Sequence, residues 1–170
     1  QPDALEPVEL ASALEHCARK MVEGGTVVIE TSQTGDPRPI PIRIANALFR
    51  IGQEAIANSV RHARPTRIGI SICYAKDTVR LAIDDDGAGF ISSREPKGFG
   101  LRGMRKRAAA ISAPFEIAST LNSGTRVLVT ALLPPRLTMN TWPIYLWKRL
   151  WEYRPHGHKQ EPTYSHPYRR

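Results

Sequence analysis

Three short stretches of the chain hold residue types whose spacing can do chemistry. In GQEAIANSVRHA (Gly52–Ala63), Glu54, Asn58 and Arg61 fall within roughly 60° of one another on a helix turning about 100° per residue, which makes one polar strip. The same helix is otherwise apolar, through Ile44, Leu48, Ile51, Ala55, Ile56 and Val60. Polar groups on a largely buried helix are costly unless satisfied, so a covering segment or a polar ligand belongs over the strip. In DDDGAGF (Asp84–Phe90), a carboxylate at a strand end can accept from a ligand amino group, and Gly87 and Gly89 let backbone approach a ligand closely. In GFGLRGM (Gly98–Met104), two glycines precede a helix whose terminal amides and dipole favour phosphate. Each stretch alone has an ordinary reading. A Gly-x-Gly is a common tight turn, an Asp a turn former, and Glu or Asn a surface or capping residue.

The elements that must position these residues follow from periodicity. Val8–Glu23 has apolar residues near helical spacing and ends at Gly24-Gly25. TVVIET (Thr26–Thr31) is a short β-branched strand, TGDPRP a loop, and Pro41 starts a helix that continues to about His62. RIGISICY (Arg67–Tyr74) and VRLAID (Val79–Asp84) alternate and form a hairpin. A long loop then leads to a helix over Leu101–Ile111, a strand FEIAST, a turn LNSG and a longer strand Thr125–Leu133, closed by Pro134-Pro135. This order predicts an α/β (α+β) two-layer sandwich, with a mixed, mainly antiparallel sheet and helices on one face. The expected domain is 1–134, followed by a basic, aromatic-rich tail at 135–170 that is extended or partly helical.

The order of the motifs is more specific than any one of them: Glu-x-x-x-Asn on a helix, a hairpin, Asp-x-Gly-x-Gly, a loop, Gly-x-Gly-Leu opening a helix, then Gly-Thr opening the last strand. From about Val8 to Leu133 the chain resembles the ATP-binding catalytic domain of sensor histidine kinases, members of the Bergerat-fold ATPases together with DNA gyrase. Within these it is similar to the nitrate-sensor and degradation-sensor subgroup, in FRIGQEAIANSVRHA and in GFGLRGMRKRA. The resemblance implies ATP and Mg²⁺ as ligands, with Asn58 holding the metal. It implies Glu54 as the acid that polarises the attacking histidine or a metal-bound water. Arg61 stands where relatives place a basic residue near the phosphates, with His62 flanking it. Asp85 would accept from the adenine amine, Asp84 and Asp86 being neighbours of lesser role. Gly87 and Gly89 would pass under the base, Gly98, Gly100 and Leu101 would close on the phosphates, and Thr125 would help fix adenine. The chain departs from the family in SAPFEI, where relatives carry a Gly-Gly or similar turn, and this leaves the turn geometry open.

The resemblance also implies partners: a dimerisation domain bearing the phosphoacceptor histidine and, through it, a response regulator. His16, in LEHCARK, does not match the acceptor motif and reads as a helix-surface histidine. The acceptor is therefore expected outside this chain, which begins with Gln and reads as a piece or a processed product. Alternatives sharing the fold are an anti-sigma-factor-type serine kinase and a non-catalytic nucleotide-binding regulatory module.

Composition narrows the classes further. The net charge is +8, but from Arg136 onward seven Lys/Arg stand against two Glu, so the tail contributes +5 and the body is only mildly basic. No specific nucleic acid is expected as a partner, since the basicity belongs to the tail rather than the fold. The tail's Trp142, Tyr145, Trp147, Leu150 and Trp151 alternate with Lys148 and Arg149, which allows contact with a membrane surface. Cys17 and Cys73 are expected as two buried thiols rather than a disulfide. No apolar run is long enough to span a bilayer, and a cytoplasmic location is expected.

Overall fold

The computed structural model describes residues 4–5, 7–91 and 99–135. Its elements fall within one compact unit, Gln1–Pro135. The expectations for the tail and for Gly98 lie outside the described residues.

Helix α1 (Pro7–Met21) follows a two-residue strand β1 (Ala4–Leu5). Leu10, Leu14 and Ala18 repeat at helical spacing and are fully buried, while His16 is exposed on the opposite side. Strand β2 (Val28–Gly35) runs further than the sequence predicts, through the polar residues Ser32 to Gly35. It is an edge strand whose outer half is exposed, so it needs no apolar alternation there. Strand β3 (Ile40–Pro41) pairs with β1, a small ladder that the sequence reading does not contain. Pro41 then caps helix α2 (Ile42–Asn58) in an extended conformation. The helix continues as a π turn over Ser59–Ala63 and ends on Arg64, which takes a left-handed backbone with φ of 48°.

Strands β4 (Arg67–Tyr74) and β5 (Thr78–Asp85) form the expected hairpin. Helix α3 (Phe99–Ala110), β6 (Phe115–Ser119) and β7 (Thr125–Leu132) follow. The sheet order is β2-β4-β5-β7-β6. Only the β2–β4 pair is parallel, because α2 is the crossover between them. The turn after α3 closes without glycine. Ser112 takes φ of 53°, and the amides of Ser112 and Ala113 return to the carbonyls of Ala109 at 3.0 Å and Ala108 at 2.9 Å, a Schellman cap. The Ala113–Pro114 departure therefore leaves ordinary turn geometry in place.

The helices cover one face of the sheet. Ile70, Ile83, Val127 and Ile117 form one cross-strand row, and Ile72, Leu81, Val129 and Phe115 the next. Fully burying such a side chain contributes about 1.5–3 kcal/mol. The last row of the same face reads Ile68, Asp85, Thr125, Ser119. The alternation that builds the core thus ends in three polar side chains at one edge of it. The other face is wet, with ion pairs Arg67–Glu30 at 3.1 Å and Arg126–Asp84 at 3.3 Å. Cys73 belongs to that face and is exposed, which corrects the expectation of a buried thiol; Ile72, one residue earlier, takes the core position. Both cysteines are free, and Cys17 is half-buried.

Candidate functional site

A cleft of about 620 Å³ opens between α2, the polar row of the sheet and the start of α3. That size suits a small-molecule ligand. Helix α2 and its π turn supply Glu54, Asn58, Ser59, Arg61, His62 and Ala63 to one wall. Arg61, His62 and Ala63 of the π turn line the cleft alongside Asn58. Asp85 and Thr125 lie at the floor, among Ile83, Ile117, Val127 and Met104. Gly100 and Leu101 enter from the first turn of α3, and Phe90 and Phe99 stand at the rim. Phe99 is 94% exposed, an aromatic ring left in water at the mouth of the cleft.

Asp85 is buried at 8% exposure, and each of its oxygens is held. The Gly87 amide donates to Oδ1 at 3.0 Å, and Ser59 Oγ lies 2.6 Å from Oδ2. A carboxylate has about four acceptor positions, so capacity remains for a donor in the cleft. Thr125 Oγ1 lies 2.9 Å from Ser119 Oγ, which in turn accepts from the Phe90 amide at 2.8 Å. Ser119 therefore ties the floor to the chain that leaves toward the rim.

Gly87 does not reach the cleft wall. It packs against the end of the π turn, where a Cβ would lie 2.4 Å from the Ala63 carbonyl oxygen. Next to it, the Ala88 amide donates to that same oxygen at 2.8 Å. Its missing side chain lets protein approach protein. Gly89 does line the cleft. Asp84 points to the outer face and pairs with Arg126. Asp86 accepts from the amides of Thr66 at 2.8 Å and Arg67 at 2.9 Å, and from the Thr66 hydroxyl. The Thr66 hydroxyl first, then the Arg67 amide, hold its carboxyl below the usual carboxylate range. Asp86 thus fastens the link between π turn and β4 to the end of β5, where Asp85 stands.

Of the residues that sequence reasoning selects, Glu54, Asn58, Arg61, His62, Asp85, Gly89, Gly100, Leu101 and Thr125 share the cleft. Sequence reasoning missed Ser59 and Ser119. Ser59 adjoins Asn58 on the helix and gave a weak signal; Ser119 gave none, since its role comes from pairing with Thr125 across β6 and β7.

The donor set can be tested against a nucleotide with its metal. Glu54 Oε1 and the Asn58 amide converge on the same side of α2, toward Gly100. Both are hard oxygen-bearing groups of the kind Mg²⁺ takes, and a magnesium ion shared with phosphates needs only one or two protein ligands. Among the described residues no cluster of three His, Cys, Asp or Glu forms a cage for a metal bound by protein alone. Arg61 and His62 add basic groups beside this pair.

Residues 43–136 match the family described as histidine kinase-, DNA gyrase B-, and HSP90-like ATPase. The chain is 41% identical over 95 residues to the sensor protein VraS of Staphylococcus haemolyticus strain JCSC1435, covering 55% of this chain and 27% of the relative. The VraS of Staphylococcus aureus strain COL matches at the same identity and coverage. The chain therefore spans about a quarter of the length of these curated relatives. Among solved structures, the mycobacterial sensor histidine kinase MprB superposes with a TM-score of 0.62 at 15% identity, over 78% of this chain and 97% of that one. The histidine kinase domain of the Erythrobacter litoralis EL346 blue-light activated histidine kinase gives 0.60 at 18% identity, over 73% and 61%. These two likenesses establish the fold.

Proposed function

The chain belongs to the histidine kinase-, DNA gyrase B-, and HSP90-like ATPases, and from that premise we propose that it is the ATP-binding catalytic domain of a two-component sensor histidine kinase. In this reading it delivers the γ-phosphoryl group of ATP to a histidine on a dimerisation domain of the parent kinase, which then serves a response regulator. The observation that carries it is the cleft itself: the polar row Asp85–Thr125 on the sheet faces the strip Glu54–Asn58–Arg61 on α2 across one space.

Each residue then has a task. Asp85 accepts from the exocyclic amine of adenine, while Ile83, Ile117 and Val127 pack on the base, and Thr125 fixes it from the neighbouring strand. Arg61 and His62 bind the phosphates. Asn58 holds Mg²⁺ through its side-chain oxygen; when bound, the metal neutralises phosphate charge. Gly100 and Leu101 bring the N-terminus of α3 to the phosphate end, where helix amides suit anions. Glu54 accepts a hydrogen bond from the N–H of the incoming imidazole and so orients its other nitrogen for attack. Phosphoryl transfer asks little more of a protein than this positioning and charge neutralisation. The domain works on the cytoplasmic side, and among the described residues no helix is long and apolar enough to cross a membrane.

The test is a titration of the full 170-residue chain with a fluorescent ATP analogue, with and without Mg²⁺. Asp85→Asn is expected to weaken binding in both conditions by about 5- to 150-fold, the cost of a lost buried partner. Asn58→Ala is expected to remove mainly the Mg²⁺-dependent part. A folded wild type without saturable binding would overturn the reading.

A further inference from the structure

Ser59 has no task in the function proposed above, yet its position is specific. It is the first residue of the π turn, 5% exposed, and it borders the cleft. Its Oγ lies 2.6 Å from Asp85 Oδ2 and 3.2 Å from the Ala55 carbonyl oxygen. A hydroxyl has one proton, and the shorter contact falls in the range of a charge-assisted bond to a carboxylate, so Asp85 receives it. The other carboxylate oxygen is held independently by the Gly87 amide at 3.0 Å. The carboxylate is thereby fixed from two elements, by the loop at Oδ1 and by the helix at Oδ2. Removing the hydroxyl leaves Oδ2 unheld and the plane of the carboxylate set by one bond alone.

We infer that Ser59 is a positioning residue for base recognition: it holds the plane of the Asp85 carboxylate so that the remaining lone pairs meet the 6-amino group of a purine. The inference rests on the ATP-binding reading and deepens it. It gives two consecutive residues of one helix separate duties, Asn58 toward the phosphate end and Ser59, through Asp85, toward the base. A side chain that merely fills space at this position would affect all nucleotides alike. One that orients Asp85 would affect only those that donate to it, since a site built around a hydrogen bond discriminates by that bond.

The experiment displaces a fluorescent ATP analogue from the full chain with unlabelled ATP, and separately with purine riboside triphosphate, which lacks the 6-amino group. The ratio of the two affinities is the readout. Wild type is expected to prefer ATP. In Ser59→Ala this ratio is expected to fall about 5- to 20-fold, with the affinity for purine riboside triphosphate unchanged within about twofold. Ser59→Thr, which keeps the hydroxyl, is expected to retain the wild-type ratio. If Ser59→Ala does not fold, Ser59→Cys, with a similar volume and a weaker donor, is expected to give an intermediate ratio.

Equal loss of both affinities in Ser59→Ala, or an unchanged ratio in whichever of Ser59→Ala and Ser59→Cys folds, overturns the inference while leaving ATP binding intact. A wild type that binds neither nucleotide overturns the functional reading and this inference together. That outcome is seen before any variant is made.

Discussion

Gly100 stands directly over Glu54: a Cβ on Gly100 would lie 2.4 Å from Glu54 Oε1 and 3.2 Å from Asn58 Nδ2. The first turn of α3 meets the polar strip of α2 with no side chain between them. The atoms in the way are the ends of side chains rather than backbone, so an added methyl moves the carboxylate and leaves the fold alone. Gly100→Ala is therefore expected to keep or slightly raise the melting temperature, since alanine is the better helix former. Phosphoryl transfer to the dimerisation domain should fall about tenfold or more, because small displacements of a catalytic group are expensive. Thermal melting beside a radiolabelled transfer assay checks both; an unchanged transfer rate would remove Glu54 from the mechanism.

Asp86 makes acid sensitivity a local matter. Its folded carboxyl is held below the ordinary range, first by the Thr66 hydroxyl and then by the Arg67 amide. The stabilisation is therefore present above the unfolded value near pH 4 and is lost as pH falls through the folded value. Asp86→Asn is expected to melt a few degrees below wild type at pH 7. The gap should narrow as pH falls below about 4 and close as pH passes through the lower folded value. Melting curves across that range decide it, and a gap independent of pH would show that the charge plays no part.

Arg38 is a buried cation, 6% exposed, whose guanidinium donates to the carbonyls of Lys76 at 2.9 Å and Pro134. It joins three chain segments: the approach to β3, the β4–β5 turn and the end of β7. Arg38→Ala leaves two carbonyls without their donor, at about 1–3 kcal/mol for each group that stays buried. Arg38→Lys is expected to recover little, because a single ammonium cannot span both carbonyls as a planar fork does. Chemical denaturation of the three proteins measures this. Full recovery by lysine would mean that only the charge matters.

The parts of the fold that could be read from the sequence are those where one face is buried and the other wet. Ile68, Ile70 and Ile72 announce β4, and Ile44 through Val60 announce α2, because burial imposes a period. The β1–β3 ladder is two residues long and has no period to read. The second half of β2 is polar on both faces, since it lies at an exposed edge. The candidate site was legible where side chains of distinctive chemistry recur at fixed spacing, as at Glu54, Asn58 and Asp85. It was not legible where the contact is made by the sheet. Ser119 reaches Thr125 only because β6 and β7 pair in register, and the close approach of Gly87 to Ala63 arises because the loop folds back on the π turn. Cys73 was misassigned because its neighbours are apolar, although the alternation itself puts it opposite Ile72.

The pairing of β5 with β7 separates two kinds of change that the chain can undergo. Residues 86–124 lie between Asp85 and Thr125, yet those two face each other on adjacent strands. Between them the described chain forms α3 and then β6, which lies at the edge of the sheet beyond β7. In the function proposed above, base choice sits at that rung, while the phosphate end is shared between α2 with its π turn and the first turn of α3. Under that reading, changes on α2 or in the first turn of α3 alter the phosphate end without touching the β5–β7 rung that would choose the nucleotide.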